Sequence, residues 1–142
     1  MHSNVIIKQK VNAPIDKVWN AITDKEQLKE WYHPIPDFST KIHSEFSFYS
    51  NTGTEENHHH HCEVLEVIPN EKLKFSLAYP EITKEKTLLK WELLKDGNDT
   101  WVTLTHKGLE NLEHLGNEFS HEKFEKRWDK IVNEQLKNFV EN

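Results

Sequence analysis

The side chains able to bind metal or move protons gather in two places: the run His58-His59-His60-His61 with Cys62 directly after it, and a solitary His106 within Leu104-Thr105-His106-Lys107-Gly108. Imidazole and thiolate are the usual ligands of zinc, nickel and copper, so the run is capable of metal chemistry by residue type. Its spacing argues otherwise. On a strand, successive side chains point to opposite faces, so His59 and His61 share one side and His58, His60 and Cys62 the other. Two or three ligands on one side need another element to complete a shell, and no second ligand pair is evident. The tract therefore reads as a polar stretch of an edge strand, and neither a metal nor a cofactor is expected. His106 alternates with Val102 and Leu104, which turns its ring toward the interior. With an ordinary pKa of about 6.5 it could orient or protonate a bound ligand, but acid-base catalysis also needs an orienting partner. Neither a Ser-His-Asp order nor a Gly-x-Ser-x-Gly motif occurs, so no catalytic residue is assigned.

The elements that must position these groups follow from periodicity. Val5 to Val11 is rich in β-branched residues and reads as a first strand, closed by Pro14. Ile15, Val18, Trp19 and Ile22 recur at helical spacing behind a proline suited to a first helical turn. A second short helix follows, with Thr23 as its expected cap, Glu26 reaching back, and Leu28, Trp31 and Tyr32 on its apolar face; Pro34 and Pro36 end it. From Asp37 to Leu109 the period becomes two. Phe46 and Phe48, Leu65 and Val67, Leu73, Phe75 and Leu77, Leu89, Trp91 and Leu93, and Val102, Leu104 and His106 alternate with polar or outward residues. Turn signals stand at Asn51-Thr52-Gly53, Pro69-Asn70-Glu71 and Asp96-Gly97-Asn98-Asp99, and the charged segment from Ala78 to Lys86 reads as a long connection. After Gly108 a helical stripe returns as Phe124, Trp128, Ile131, Val132, Leu136, Phe139 and Val140, with Leu112, Leu115 and Phe119 as a lead-in.

Composition narrows the function classes. The 142 residues fit one domain, 1–142, with a core large enough to need no disulfide or metal staple. Eighteen basic against 24 acidic side chains give a net charge of −6, a field that repels phosphate backbones and anionic lipid. Nucleic acid and membrane are not expected partners. The single cysteine and the lack of a signal-like start point to the cytoplasm. Five tryptophans and seven phenylalanines beside four glycines demand a large buried aromatic surface.

Several landmarks occur in a telling order: Ala13-Pro14, Val18-Trp19, Trp31, Glu66-Val67-Ile68-Pro69, Leu104-Thr105-His106-Lys107-Gly108-Leu109 and Trp128. Together with the sequence of elements, they make the chain resemble the START-like (SRPBCC) superfamily, and within it the bacterial homologues of the activator of heat shock protein 90 ATPase. The resemblance spans essentially the whole chain. It implies an α+β helix-grip fold, a curved antiparallel sheet wrapped around a long C-terminal helix with two short helices after the first strand and a cavity in between. Two departures stand out. Arg127 occupies the place where the family commonly has glycine, which narrows or re-polarises the cavity mouth. In place of a Gly-Gly turn the chain has Asn51-Thr52-Gly53-Thr54-Glu55-Glu56.

The function implied is binding of a small apolar or lipid-like ligand, with Trp31, Phe46, Phe48, Trp91, His106 and Trp128 as the lining and affinity drawn from buried apolar surface. A co-chaperone module that engages a protein partner is the alternative, and a cyclase- or hydrolase-type enzyme the third. The expected state is a monomer or weak dimer.

Overall fold

The structure, a computed structural model, describes residues 4–50 and 58–142. Strand β1 (Val5–Val11) is followed by helices α1 (Ile15–Thr23) and α2 (Lys25–Trp31), then by strands β2 (Glu45–Ser50), β3 (His58–Ile68), β4 (Lys72–Ala78), β5 (Lys86–Asp96) and β6 (Asp99–Lys107). The strands form one antiparallel sheet in the order β1-β6-β5-β4-β3-β2, a meander closed by the first strand returning beside the last. Short 3₁₀ turns at Leu109–Leu115 and Asn117–Phe119 lead to helix α3 (His121–Lys130), a π-helical stretch Ile131–Leu136, and helix α4 (Lys137–Glu141), which continue one another. This is the START-like helix-grip arrangement, with the sheet curved around the C-terminal helix.

The alternation read from sequence is the alternation of burial. Val5, Ile7 and Val11 on β1, Phe46 and Phe48 on β2, Leu73, Phe75 and Leu77 on β4, Leu89, Trp91 and Leu93 on β5, and Val102, Leu104 and His106 on β6 all face the helix side. Apolar surface removed from water drives this choice of face. The helix closes it with Phe124, Trp128, Ile131, Val132, Leu136 and Val140, all buried. Polar ties fix its placement: Gln9 Nε2 donates to Asn133 Oδ1 at 2.9 Å, the Asn12 amide donates to Glu141 Oε2 at 2.8 Å, and Gln135 Nε2 donates to the Trp31 carbonyl at 2.9 Å. Gly108 (φ 87°) takes the left-handed turn that ends β6 and starts the 3₁₀ lead-in, a conformation that a side chain would strain.

Local details differ from the sequence expectation in four places. Asp24, not Thr23, caps α2: its carboxylate accepts the Glu26 amide at 3.0 Å, while the Thr23 hydroxyl donates back to the Trp19 carbonyl at 2.6 Å. Aspartate wins because its short acceptor reaches the free amides of the first turn. Pro14 stands one place earlier than a first helical residue, as the N-cap whose carbonyl accepts the Lys17 and Val18 amides. Between Val64 and Glu66 the register of β3 on β4 shifts, so Val64 is fully buried and Leu65 and Val67 are only half-buried. One inserted residue swaps the faces of everything beyond it. Finally, β3 lies between β2 and β4, so the histidine run sits inside the sheet and not on its edge. The Asn51-Thr52-Gly53 turn lies outside the described residues.

Candidate functional site

The aromatic residues singled out from sequence converge in space. Trp91 of β5 stands edge-on between Trp31 of α2 (centroids 6.3 Å apart, 86° between planes) and Trp128 of α3 (6.4 Å, 88°). The Trp31 indole donates to the Ala21 carbonyl at 2.8 Å, which anchors α2 to α1 and fixes the ring. Phe46 packs edge-on to Phe75 at 5.4 Å and to Phe38 at 5.0 Å. Phe48 is stacked between His33 (5.6 Å, 24°) and His60 (4.8 Å, 11°). Trp31, Phe46, Phe48, Trp91 and Trp128 all line one apolar interior space, with Leu73, Phe75, Leu77 and Leu89 on the sheet side and Tyr32, Ile35 and Phe38 on the opposite side.

That space has a volume of about 30 Å³, room for no more than two or three water molecules at about 10–15 Å³ each. Sites for small molecules commonly offer about 300–1,000 Å³. The roomy void implied by the resemblance is therefore closed in this conformation, because the rings themselves occupy it.

A second, smaller space of about 20 Å³ lies alongside it and shares Tyr32, Leu77 and Trp128 as walls. Its other walls are Ser50, His60, Tyr79, His106, Phe124, Arg127 and Ile131. Here the chemistry is polar. His106, fully buried, is held in a complete chain of hydrogen bonds: Trp128 Nε1–H donates to His106 Nδ1 at 3.0 Å, His106 Nε2–H donates to Thr87 Oγ1 at 2.8 Å, and the Thr87 hydroxyl donates to the Leu77 carbonyl at 3.2 Å. Because indole is a donor only, the chain fixes the proton of the imidazole on Nε2. Burial, helped by the Arg127 charge, pushes the His106 pKa down to about 3. His106 is thus a neutral brace between α3 and the sheet, with both nitrogens engaged by the protein.

His60 donates from Nδ1 to the His58 carbonyl at 2.9 Å and is pushed down to about 4, chiefly by burial. Its Nε2 is then an acceptor. Burial raises the phenols of Tyr32 and Tyr79, so both remain protonated donors. The Arg127 guanidinium lies 4.5 Å above the Phe124 ring and donates from Nη2 to the Glu118 carbonyl at 3.1 Å. His58, from the same inward face as His60, meets Glu118 Oε1 at 2.6 Å. His59 stacks on Tyr49 at 5.0 Å, and His61 reaches Glu45 at 2.6 Å on the outer face. The two-sided division of the histidine run therefore holds, and Cys62 is sealed in the core between Phe46 and Leu77 in the sheet register.

Sequence reasoning missed Tyr79 and His60 as wall residues, and Tyr32 as a wall of both spaces. Tyr79 follows β4 directly and precedes Pro80, in a segment that reads only as charged connection. For Arg127 the signal existed: a charged residue one turn after Phe124 and directly before Trp128, on the edge of the apolar stripe.

The comparisons agree with this geometry. The family model described as "Activator of Hsp90 ATPase homolog 1-like protein" matches residues 12–141. No curated protein matches the chain. Among solved structures, a Bacillus halodurans protein solved in solution is 28% identical, with 97% of this chain and 96% of that one covered and a TM-score of 0.77. The Aha1 dimer from Colwellia psychrerythraea is 20% identical over 99% of this chain and 97% of that one, with a TM-score of 0.70. DynU16, described as a protein of the dynemicin biosynthetic locus, is 20% identical with a TM-score of 0.80; all of this chain is covered, and it spans 48% of that one. No helix among the described residues is long and apolar enough to cross a membrane. With nearly its whole length matched, the chain belongs to the Activator of Hsp90 ATPase homolog 1-like family.

Proposed function

We propose that this chain binds a small, mostly apolar ligand between its sheet and its C-terminal helix. The observation that carries the reading is the convergence of Trp31, Phe46, Phe48, Trp91 and Trp128, from α2, β2, β5 and α3, on one space whose walls are almost wholly apolar. Trp91 links the two ends of that wall, edge-on to Trp31 on one side and to Trp128 on the other. Binding entails an opening of that space, and the element suited to open is the irregular segment 32–44, which contributes Tyr32, Ile35 and Phe38 to the wall. Among the described residues its backbone hydrogen bonds gather at its two ends, where the Tyr32 amide donates to the Leu28 carbonyl at 2.8 Å, the His43 amide to the Val64 carbonyl at 2.8 Å and the Ser44 amide to the Lys41 carbonyl at 3.0 Å, with the Phe38 amide donating to the Ile35 carbonyl at 3.0 Å between them. Segments with few such bonds lie at the low-stability end of a fold. A ligand then replaces the contacts of displaced rings with its own, at about 25 cal/mol for each Å² of apolar surface removed from water, less the ordering cost.

The test is a titration with hydrophobic aromatic compounds followed by NMR. Indole resonances of Trp91 and Trp128 and amides of residues 32–44 shift together if the reading holds. Shifts confined to exposed loops defeat it. The family description favours one other reading, an outer surface that engages a chaperone ATPase. That reading predicts a rise in ATPase turnover that surface substitutions abolish and interior ones leave intact.

A further inference from the structure

The open sheet has two edge strands, β1 and β2, and the sequence treats them differently. The closing pair of the β5–β6 hairpin, Asp96 and Asp99, sets the alternation of hydrogen bonds through β6 into β1. The odd-numbered residues of β1 thus bond to β6, while Ile6, Lys8 and Lys10 carry their amides and carbonyls outward. At the other edge the Val64 amide donates to the Ser44 carbonyl at 2.9 Å, which makes Phe46, Phe48 and Ser50 the residues bonded to β3. Glu45, Ser47 and Tyr49 therefore turn their backbone groups away from the sheet.

Strand β1 is guarded. Two lysines stand among its outward residues, and the chain itself occupies both ends: His121 Nε2 donates to the Asn4 carbonyl at 2.7 Å, and the Asn12 amide donates to Glu141 Oε2 at 2.8 Å. Edge lysines and covered ends keep a strand from pairing with another chain. Strand β2, Glu-Phe-Ser-Phe-Tyr-Ser, has neither Lys nor Pro. Among the described residues, its outward backbone groups have one partner, the Asp37 carboxylate, which accepts the Ser47 amide at 3.5 Å, a long contact for such a bond. An edge of this kind is a template for a further strand.

The strand also fits itself. In an antiparallel pair centred on Ser47, Ser47 faces its own counterpart, Glu45 faces Tyr49 and Phe46 faces Phe48, so no like charges meet. In the register behind them Glu63 stands beside Glu45 and His59 beside Tyr49, so two carboxylates of one copy run on into a tyrosine and an imidazole of the other. Strand β1 paired about Lys8 would set lysine against lysine. We infer that two copies of this chain pair edge to edge through β2, antiparallel about Ser47, and join their six-stranded sheets into one. The contact is a single short strand, so the dimer is weak and forms with rising concentration. The charge of −6 on each copy opposes it, and salt therefore favours it.

The test is sedimentation velocity and amide hydrogen exchange on the full chain, from about 0.02 to about 1 mM. A dimer should build up over that range. Exchange at the Glu45, Ser47 and Tyr49 amides should slow with concentration by about threefold or more, while Phe46 and Phe48, already bonded to β3, stay constant. S47K and S47E, each shown by thermal melt to be folded, should be monomeric alone and pair when mixed, because position 47 meets itself across the two-fold axis. D37A, which removes the competing acceptor, should strengthen the dimer by about threefold, and I6K on the other edge should change it by less than about twofold. A dimer that survives in S47K and S47E unmixed, or one that I6K abolishes, overturns the inference. So does a wild type that stays monomeric throughout; slowing of the same three amides by an unrelated extended peptide would then assign the edge to a different protein.

Discussion

Thr87→Val changes one hydroxyl to a methyl at a position 2% exposed, and its effect follows from the bond chain it breaks. In the native protein the Thr87 oxygen accepts the His106 Nε2 proton at 2.8 Å and passes its own proton to the Leu77 carbonyl at 3.2 Å. Valine nearly preserves volume, so little of the effect is a cavity. What is lost is the acceptor for a fully buried donor. His106 cannot escape by moving its proton to Nδ1, because Trp128 Nε1–H already points there at 3.0 Å and two donors would then face each other. A donor stranded in the core costs about 1–3 kcal/mol, and the lost bonds add to it, so about 2–3 kcal/mol of stability should go. For a chain of this length that is a drop of roughly 6–9 °C in Tm. Thr87→Ser keeps the hydroxyl and removes one methyl, at about 1 kcal/mol. Denaturant melts with linear extrapolation measure both, and nitrogen chemical shifts report the His106 tautomer. A neutral Thr87→Val, or a native His106 protonated on Nδ1, refutes the brace.

Two further outcomes follow from the buried titratable groups. His106 and His60 are held at about 3 and about 4, below their ordinary 6.5, so between those values the unfolded chain takes up protons that the native one refuses. Their contribution to stability is fully present above about pH 6.5 and is lost as the pH falls toward 4 and then 3, by up to about 1.4 kcal/mol per pH unit for each ring; a urea midpoint flat from pH 6.5 to 4 contradicts this. Cys62 is sealed in the core and burial pushes its thiol pKa up, so a thiol reagent should label it only at the rate of unfolding. Rapid labelling of the native protein shows the core to be open at β3.

Much of the fold was legible because burial imposes periodicity. The inward sets of β1, β2, β4, β5 and β6 match their sequence alternation, and the order of elements predicted the helix-grip arrangement. Where reading failed, the determinant was not periodic. The inserted residue between Val64 and Glu66 moves the inward face of β3 from Leu65 to Val64, and no local composition marks it. Asp24 and Thr23 both have capping chemistry, and only the path of the chain chooses between them. The histidine run looked like an edge because polar strands often are; β2 covers it. At the site, the aromatic wall could be read from residue type, whereas its polar annex could not. Tyr79 lies past the end of β4 and His60 inside a run of four identical residues, so their meeting with Arg127 depends on three-dimensional closure alone.

The C-terminal helix shows how local geometry and site are coupled. Its buried residues Phe124, Trp128, Val132, Leu136 and Val140 recur at intervals of four. An α-helix turns about 100° per residue, so each step of four rotates the stripe by about 40°, and four steps by about 160°. A uniform α-helix would thus swing Val140 nearly to the opposite side from Phe124. The π-helical stretch Ile131–Leu136 holds more residues per turn and takes up much of that drift, so all five stay buried. It begins immediately after the turn that carries Arg127 and Trp128. The widened turn lets the first half of the helix aim Trp128 at His106 while the second half keeps Gln135 on the Trp31 carbonyl, 2.9 Å away. Restoring strict α-helical spacing by deleting one residue within 131–136 would force a choice between those two contacts. The site can therefore keep its tryptophan brace and its α2 cover at once only because the helix is irregular at that point.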